Sequence, residues 1–199
     1  NIPDPVHAVN NYDLDFAIMT EMKLNKLYRG QKNVRFVNAL YSADLLILTP
    51  DFTNIIDLGD IKHNGCKVVF GVLGDTESDN YNALLKVLSY YDQKTQENVE
   101  IKYVDEQELI QGYGTEINIF VTLAMNRDAV IRALTEKVSS HLVELNKINQ
   151  GDLHIRLDEK PFYQKYHYFH KTMIDYEQLF RFYPMITKIN SRALYLPSI

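Results

Sequence analysis

The residues of this chain that could carry chemistry include two acids that follow apolar segments. The stretch YSADLLILTPDFTNII, residues 41–56, runs through Pro50 into Asp51, and a second apolar stretch, CKVVFGVLG, leads into Asp75. Ligands of open α/β sheets sit outside the carboxyl ends of the strands, and Mg²⁺ prefers one or two carboxylates plus water. We therefore expect Asp51 and Asp75 to lie at neighbouring strand ends and to share a divalent cation. The alternative is that Asp51 caps a helix and that Asp75 is a loop acid.

A second group of candidate residues is basic and aromatic. The stretch KPFYQKYHYFHK, residues 160–171, offers cations for phosphate and rings for base stacking, the combination used on single-stranded nucleic acid. The candidate nucleic-acid-binding residues are Lys160, Lys165, Tyr166, Tyr168 and Lys171. Residues 160–199 hold ten of the 23 Tyr and Phe and carry a net charge of about +4, whereas the whole chain is at −5. The alternative is that these rings pack on the core, or that residues 160–199 bind a protein partner.

The elements that must position these residues follow from apolar periodicity. Continuous apolar runs at residues 43–50, 66–74 and 116–125 are typical of strands that are covered on both faces, and the alternating VEIKYV at 99–104 predicts a strand nearer a sheet edge. Between and around them, spacing of three and four residues predicts helices, at residues 14–28, 51–64, 81–91 and 126–145. This alternation predicts an α/β fold, a Rossmann-like three-layer sandwich around a parallel sheet.

The domain organisation follows from the same pattern. Residues 1–150 are expected to form the α/β domain, and residues 151–199 a C-terminal extension packed on it. Within the extension, residues 151–160 could add one more strand, and a helix is predicted from Ile174 to Ile186, interrupted at Pro184.

Between about residues 12 and 73 the order of acids and apolar segments resembles the NYN branch of PIN-like nucleases. The likeness rests on DLDFAIMTEM, residues 13–22, followed by ALYSADLLILTPDFTNIIDLGDIKHNGCKVVFGVL, residues 39–73. It implies that Asp15 (or Asp13), Glu21 and Asp51 are catalytic. The expected ligands of Mg²⁺ or Mn²⁺ are Asp15 and Asp51, together with Asp75 from the neighbouring strand end. The implied activity is metal-dependent hydrolysis of RNA.

The chain also departs from the pattern of that family. The family's first strand, which ends in an Asp and is followed by an Asn, has no counterpart before Asn11, and Thr49-Pro50 leads directly to Asp51 where the family has another Asp. Two of the usual metal acids are therefore missing. The departures favour a catalytically degenerate domain that acts in RNA metabolism or as a binding module. The alternative is a non-catalytic Rossmann-like interaction domain that docks into a larger protein assembly.

Composition excludes several other classes of protein. A single cysteine, Cys66, rules out an intramolecular disulfide and a Cys-rich zinc module. The glycines form neither a dinucleotide-binding fingerprint nor a P-loop. No apolar run reaches the roughly 18 residues that span a bilayer, and the first residues do not resemble a signal peptide. We therefore expect an intracellular protein, cytoplasmic or nuclear, that does not bind membranes.

Overall fold

The computed structural model describes residues 4–22, 24, 32–38, 40, 42–124, 128–149, 160–188 and 195–198. The strands are β1 (Asp44–Pro50), β2 (Val68–Leu73), β3 (Val99–Val104), β4 (Ile119–Ala124), β5 (Ser140–Leu142), β6 (His170–Met173), β7 (Ile186–Thr187) and β8 (Tyr195–Ser198). The α-helices are α1 (Pro5–Asn10), α2 (Asp79–Leu88), α3 (Gln93–Glu97), α4 (Glu106–Gly112), α5 (Ala129–Lys137), α6 (Asn146–Asn149), α7 (Phe162–Lys165) and α8 (Tyr176–Phe182). Two 3-10 helices cover Asp51–Thr53 and Leu58–His63. In the described part of the chain, no helix is both long and apolar enough to cross a membrane.

The described strands form one mixed sheet. Its main order is β3-β2-β4-β1-β5-β7, and β8 adds to β1 and pairs with β6. Strands β3, β2 and β4 are parallel, as predicted, but β1 runs antiparallel to β4, β5 and β8. The predicted α/β character is confirmed, whereas the sheet is not wholly parallel.

Apolar side chains cover both faces of the central strands. Along β1, Leu45 and Ile47 belong to one buried cluster, while Leu46 and Leu48 belong to another. Because successive side chains of a strand point to opposite faces, the two clusters lie on opposite sides of the sheet. Helix α2 packs in the first cluster, and α4 and α5 pack in the second. This explains why β1 reads as a continuous apolar run.

The predicted core segments of β1 and β2 are buried, but the two strands are not neighbours. Leu45 to Leu48 of β1 and Val68, Phe70 and Val72 of β2 are at most 6% exposed, and Val69 is half-buried. Strand β4 lies between β1 and β2. The expectation that β1 and β2 are adjacent and parallel is therefore wrong.

Four of the predicted helices differ from the structure. The helix predicted from Ile174 to Ile186 covers only Tyr176–Phe182, and Ile186 lies in β7. Residues 14–20 are not helical, and the segment 51–64 forms the two short 3-10 helices, separated at Asn54, which has a left-handed φ of 57°. The predicted helix at 126–145 ends at Lys137, because Val138 is extended (φ −140°, ψ 127°) and leads into β5. Helix α2 and strands β1 to β4 confirm the other elements of the predicted α/β core. The predicted strand at 151–160 lies outside the described residues apart from Lys160.

Candidate functional site

A network of polar side chains surrounds Asp51 at the carboxyl end of β1. The Ser139 hydroxyl donates to Asp51 Oδ2 at 2.6 Å, and the Thr187 hydroxyl donates to Asp51 Oδ1 at 2.8 Å. His141 Nδ1 lies 2.9 Å from the same Oδ1 atom. The backbone N–H of Asp51 also donates to the carbonyl of Ser139 at 3.0 Å. One carboxylate thus joins the end of β1 to β5 and β7, and we call these four side chains the Asp51 network.

The backbone around Asp51 explains why the carboxylate points toward β5. Pro50 ends the strand, and a single 3-10 turn follows over Asp51–Thr53. The Thr53 hydroxyl donates to the carbonyl of Pro50 at 2.9 Å and closes that turn. Asn54 then adopts the left-handed conformation that Asn tolerates better than most residues. The short turn holds Asp51 over the adjacent strand, because Ser139 directly precedes β5 and His141 lies within it.

His141 is buried and uses both of its ring nitrogens. The residue is 1% exposed, and Nε2 donates to the carbonyl oxygen of Ile55 at 2.9 Å. Nδ1 lies within hydrogen-bonding distance of the Asp51 carboxylate. The ring therefore has no nitrogen left to take a proton from a ligand unless one of these bonds opens. The geometry of His141 suits a structural role, in which its ring links β5 to the loop after β1.

The electrostatics of Asp51 follow from this network. Partial burial acts to raise the pKa of Asp51, but the hydrogen bonds from Ser139, His141 and Thr187 outweigh it, so the pKa lies below its ordinary value. The side chain keeps 35% of its surface exposed. A carboxylate has roughly four acceptor positions, and three are occupied here, so Asp51 keeps limited capacity for a further ligand.

Asp75 lies at the opposite end of the sheet from Asp51. It follows β2, which is parallel to β4, and β4 is antiparallel to β1, with Ala124 beside Asp44. The carboxyl end of β2 therefore meets the beginning of β1, and the length of β1 separates the two acids by about 20 Å. The prediction that they share one edge assumed parallel strands, and that assumption does not hold for β1.

The two acids of the N-terminal segment do not surround Asp51 either. Asp15 is exposed and lies outside helices and strands, and Glu21 is exposed at the start of a short helical turn. The hydroxyl of Thr20 donates to Asp79 at 2.8 Å, at the start of α2, so the segment beside Glu21 lies at the carboxyl end of β2. Within the described ranges, no three His, Cys, Asp or Glu residues are grouped so that they could hold a metal ion.

The rings of the basic aromatic stretch face the chain's own core. Tyr168 is 7% exposed in the cluster on one face of the sheet, and Tyr166 packs against that cluster. Lys165 Nζ lies 5.2 Å from the ring centre of Tyr90 and 5.5 Å from that of Tyr166. Lys171 donates to the carbonyl of Asn149 at 2.8 Å.

Lys160 is held to the sheet domain through its backbone. Its side chain is exposed, and its carbonyl accepts a hydrogen bond of 2.7 Å from the Tyr90 hydroxyl. The aromatic candidates thus have structural contacts, which is the arrangement that the packing hypothesis predicts.

Exposed apolar side chains are concentrated in the N-terminal segment. Of the twelve large apolar residues with exposed side chains in the described ranges, six lie between residues 12 and 40. These are Tyr12, Phe16, Ile18, Phe36, Val37 and Leu40, at 63–82% exposure, and we call them the apolar arm. Asn33 binds Asn10: its backbone N–H donates to the Asn10 side chain at 3.2 Å and its side chain donates to the Asn10 carbonyl at 3.1 Å, so the chain near residue 33 lies beside the chain near residue 10.

Sequence reasoning did not identify Ser139, His141 or Thr187. The first two lay inside the predicted helix 126–145, because Leu134, Val138, Leu142 and Leu145 also fit a helical stripe. The pair Ser139-Ser140 was the available signal, since Ser competes with the helical backbone for hydrogen bonds. Thr187 carries no local signal and comes near Asp51 only through sheet pairing.

Comparison with known proteins does not assign the chain to a class. No family model matches the sequence, and none of the curated proteins matches it.

Proposed function

We propose that this α/β chain is a protein-interaction domain that binds a partner protein through the apolar arm. One observation carries the proposal: half of the exposed large apolar side chains of the described residues lie in this one segment. Apolar patches exposed on a folded protein mark interaction surfaces more often than chance, whereas single exposed apolar residues need no explanation.

The anchoring of the segment supports this role. Met22 is 6% exposed within the core, Val34 is 8% exposed, and Thr20 binds Asp79. The arm is thus attached to the domain at several points while its aromatic side chains remain in solvent. An attached surface loses less conformational entropy on binding than a free chain does.

The arm also defines the chemistry of the partner. Tyr12, Phe16 and Phe36 supply rings of the type enriched at the centres of interfaces. In the sequence Asp13 follows Tyr12 and Asp15 precedes Phe16, and both acids are exposed. The matching partner is a protein with an apolar surface and cationic side chains at its rim.

Serine substitution of two arm residues tests the proposal. Phe16→Ser and Phe36→Ser together should change the free energy of unfolding by less than about 0.5 kcal/mol each, because both rings are in solvent. The same variant should lose the partner that the parent retains on an affinity column, and the purified partner should bind the parent and not the variant. Met173→Ser, at a site 60% exposed and outside the arm, is the matched control and should bind like the parent.

Two results would contradict the proposal. A clear fall in the melting temperature of the arm variant would mean that the rings pack inside the chain. Equal partner binding by the parent, the arm variant and the Met173→Ser control would mean that the arm is not the contact surface. The degenerate PIN-like hypothesis is tested separately, by measuring cleavage and binding of a short RNA in the presence of Mg²⁺ and Mn²⁺.

A further inference from the structure

Strand β3 forms an open edge of the sheet. It pairs with β2 along its whole length, from Val99 beside Val68 to Val104 beside Leu73, and in the described part of the chain no strand pairs with its other side. Along it, Glu100, Lys102 and Tyr103 are exposed. An open edge presents unpaired N–H and C=O groups, which are a template for pairing with another strand.

The hydrogen-bonding pattern between β2 and β3 shows which residues of β3 direct their backbone N–H and C=O groups away from β2. The N–H of Val68 donates to the carbonyl of Asn98 at 2.7 Å, so Asn98 directs its backbone groups toward β2. Backbone groups alternate in direction along a strand, and the pairing with β2 is regular. Val99, Ile101 and Tyr103 therefore direct their N–H and C=O groups outward.

The side-chain sequence of β3 is self-complementary. Val99, Glu100, Ile101, Lys102 and Tyr103 place an acid and a base symmetrically about Ile101. We propose that two copies of this chain pair through β3, antiparallel and with the two-fold axis at Ile101, to form one continuous sheet. The proposal is independent of the apolar arm.

Antiparallel pairing about Ile101 satisfies charge and backbone together. It sets Glu100 opposite Lys102 of the second copy, twice by symmetry, and Val99 opposite Tyr103. Ile101 then faces Ile101 as a hydrogen-bonded pair, which matches its outward N–H and C=O. Glu100 and Lys102 form the closer, non-hydrogen-bonded pair, in which opposite charges attract. Parallel pairing in register would instead place Glu100 against Glu100.

The contacts within one copy leave these charges available. The side chain of Glu100 makes no hydrogen bond or ion pair with the residues that the structure describes. Lys102 pairs with Glu116 at 3.0 Å, with side chains 47% and 72% exposed. Such an exposed pair is weak, so Lys102 can turn to Glu100 of the second copy at small cost.

Charge reversal tests the proposal directly. In sedimentation equilibrium the parent should reach twice its mass of 23.2 kDa as concentration rises. Glu100→Lys alone and Lys102→Glu alone should each raise the dissociation constant by about tenfold or more, since like charges then face each other twice. The double reversal should restore the dimer. Glu177→Lys makes the same charge change on α8 and should have no effect.

Cysteine cross-linking tests the register and does not depend on the charge variants folding well. In a Cys66→Ser background, Ile101→Cys should oxidise to a covalent dimer, because the two Cα atoms lie about 5.5 Å apart, within disulfide range. Tyr103→Cys is the matched control on the same face. Its Cα atoms would be four residues out of register, about 13 Å apart, and should not cross-link.

Several results would overturn the proposal. The proposal is wrong if the parent protein stays at 23.2 kDa at the highest concentration at which it remains in solution. It is also wrong if both single reversals leave the dimer intact, or if Tyr103→Cys cross-links as efficiently as Ile101→Cys.

Discussion

Replacing Phe162 by alanine tests whether the C-terminal aromatic stretch is part of the core. Phe162 is 1% exposed, and its ring lies 5.2–5.3 Å from the ring centres of Tyr90, Tyr163, Tyr166 and Phe169. Truncating a buried Phe removes transfer free energy and leaves a cavity, at a cost of about 3–5 kcal/mol. Edge-to-face contacts with the neighbouring rings place the expected loss toward the upper part of that range.

This cost converts into a large shift of the melting temperature. For a domain of this size, each kcal/mol lowers the melting temperature by about 2–4 °C, so Phe162→Ala should lower it by roughly 6–20 °C. The assay is thermal unfolding followed by circular dichroism, with urea unfolding as a second measure of the free energy. Phe36→Ala is the matched control, because this ring is 71% exposed and its loss should cost less than about 0.5 kcal/mol.

The comparison between the two Phe variants decides the outcome. If Phe162→Ala melts within about 2 °C of the parent, as the surface control should, then the extension does not stabilise the sheet. The aromatic stretch would in that case be free to bind another molecule, as the nucleic-acid hypothesis requires.

Two further predictions concern the Asp51 network and the remaining aromatic residues. The pKa of Asp51 lies below its ordinary value in the folded state, so its carboxylate stabilises the fold above the unfolded pKa, near 3.9, and this contribution is lost as the pH falls through the folded pKa. The melting temperature of Asp51→Asn should therefore be lower than that of the parent at pH 6 and should converge with it in acid; a constant difference at every pH would refute the ionic contribution. The double variant Tyr166→Ala, Tyr168→Ala should melt below the parent, since Tyr168 is 7% exposed in the core. A short fluorescent RNA titrated into both proteins by polarisation distinguishes the hypotheses: an unchanged melt with lost RNA affinity would show that the rings serve binding.

Apolar periodicity was sufficient to predict strands β1 to β4 and helix α2, but not strands β5 to β8. Leu45 to Leu48 form a continuous apolar run because both faces of β1 are covered, and the alternation of VEIKYV marks β3 as an edge. The stripe at residues 81–91 predicts α2 because a helix buries one face against the sheet. Each of these signals depends only on whether a side chain is buried or exposed. The local pattern of apolar and polar residues reflects this directly.

Strand direction and the partners of Asp51 were decided by the tertiary structure alone. An apolar strand has the same composition whichever way it runs, so nothing local distinguishes an antiparallel β1 from a parallel one, and Asp75 came to lie at the far end of the sheet. His141 and Thr187 meet Asp51 across 90 and 136 positions of sequence. The spacing of these residues in the sequence does not predict the contact. The contact depends on which strands become neighbours and in which register they pair.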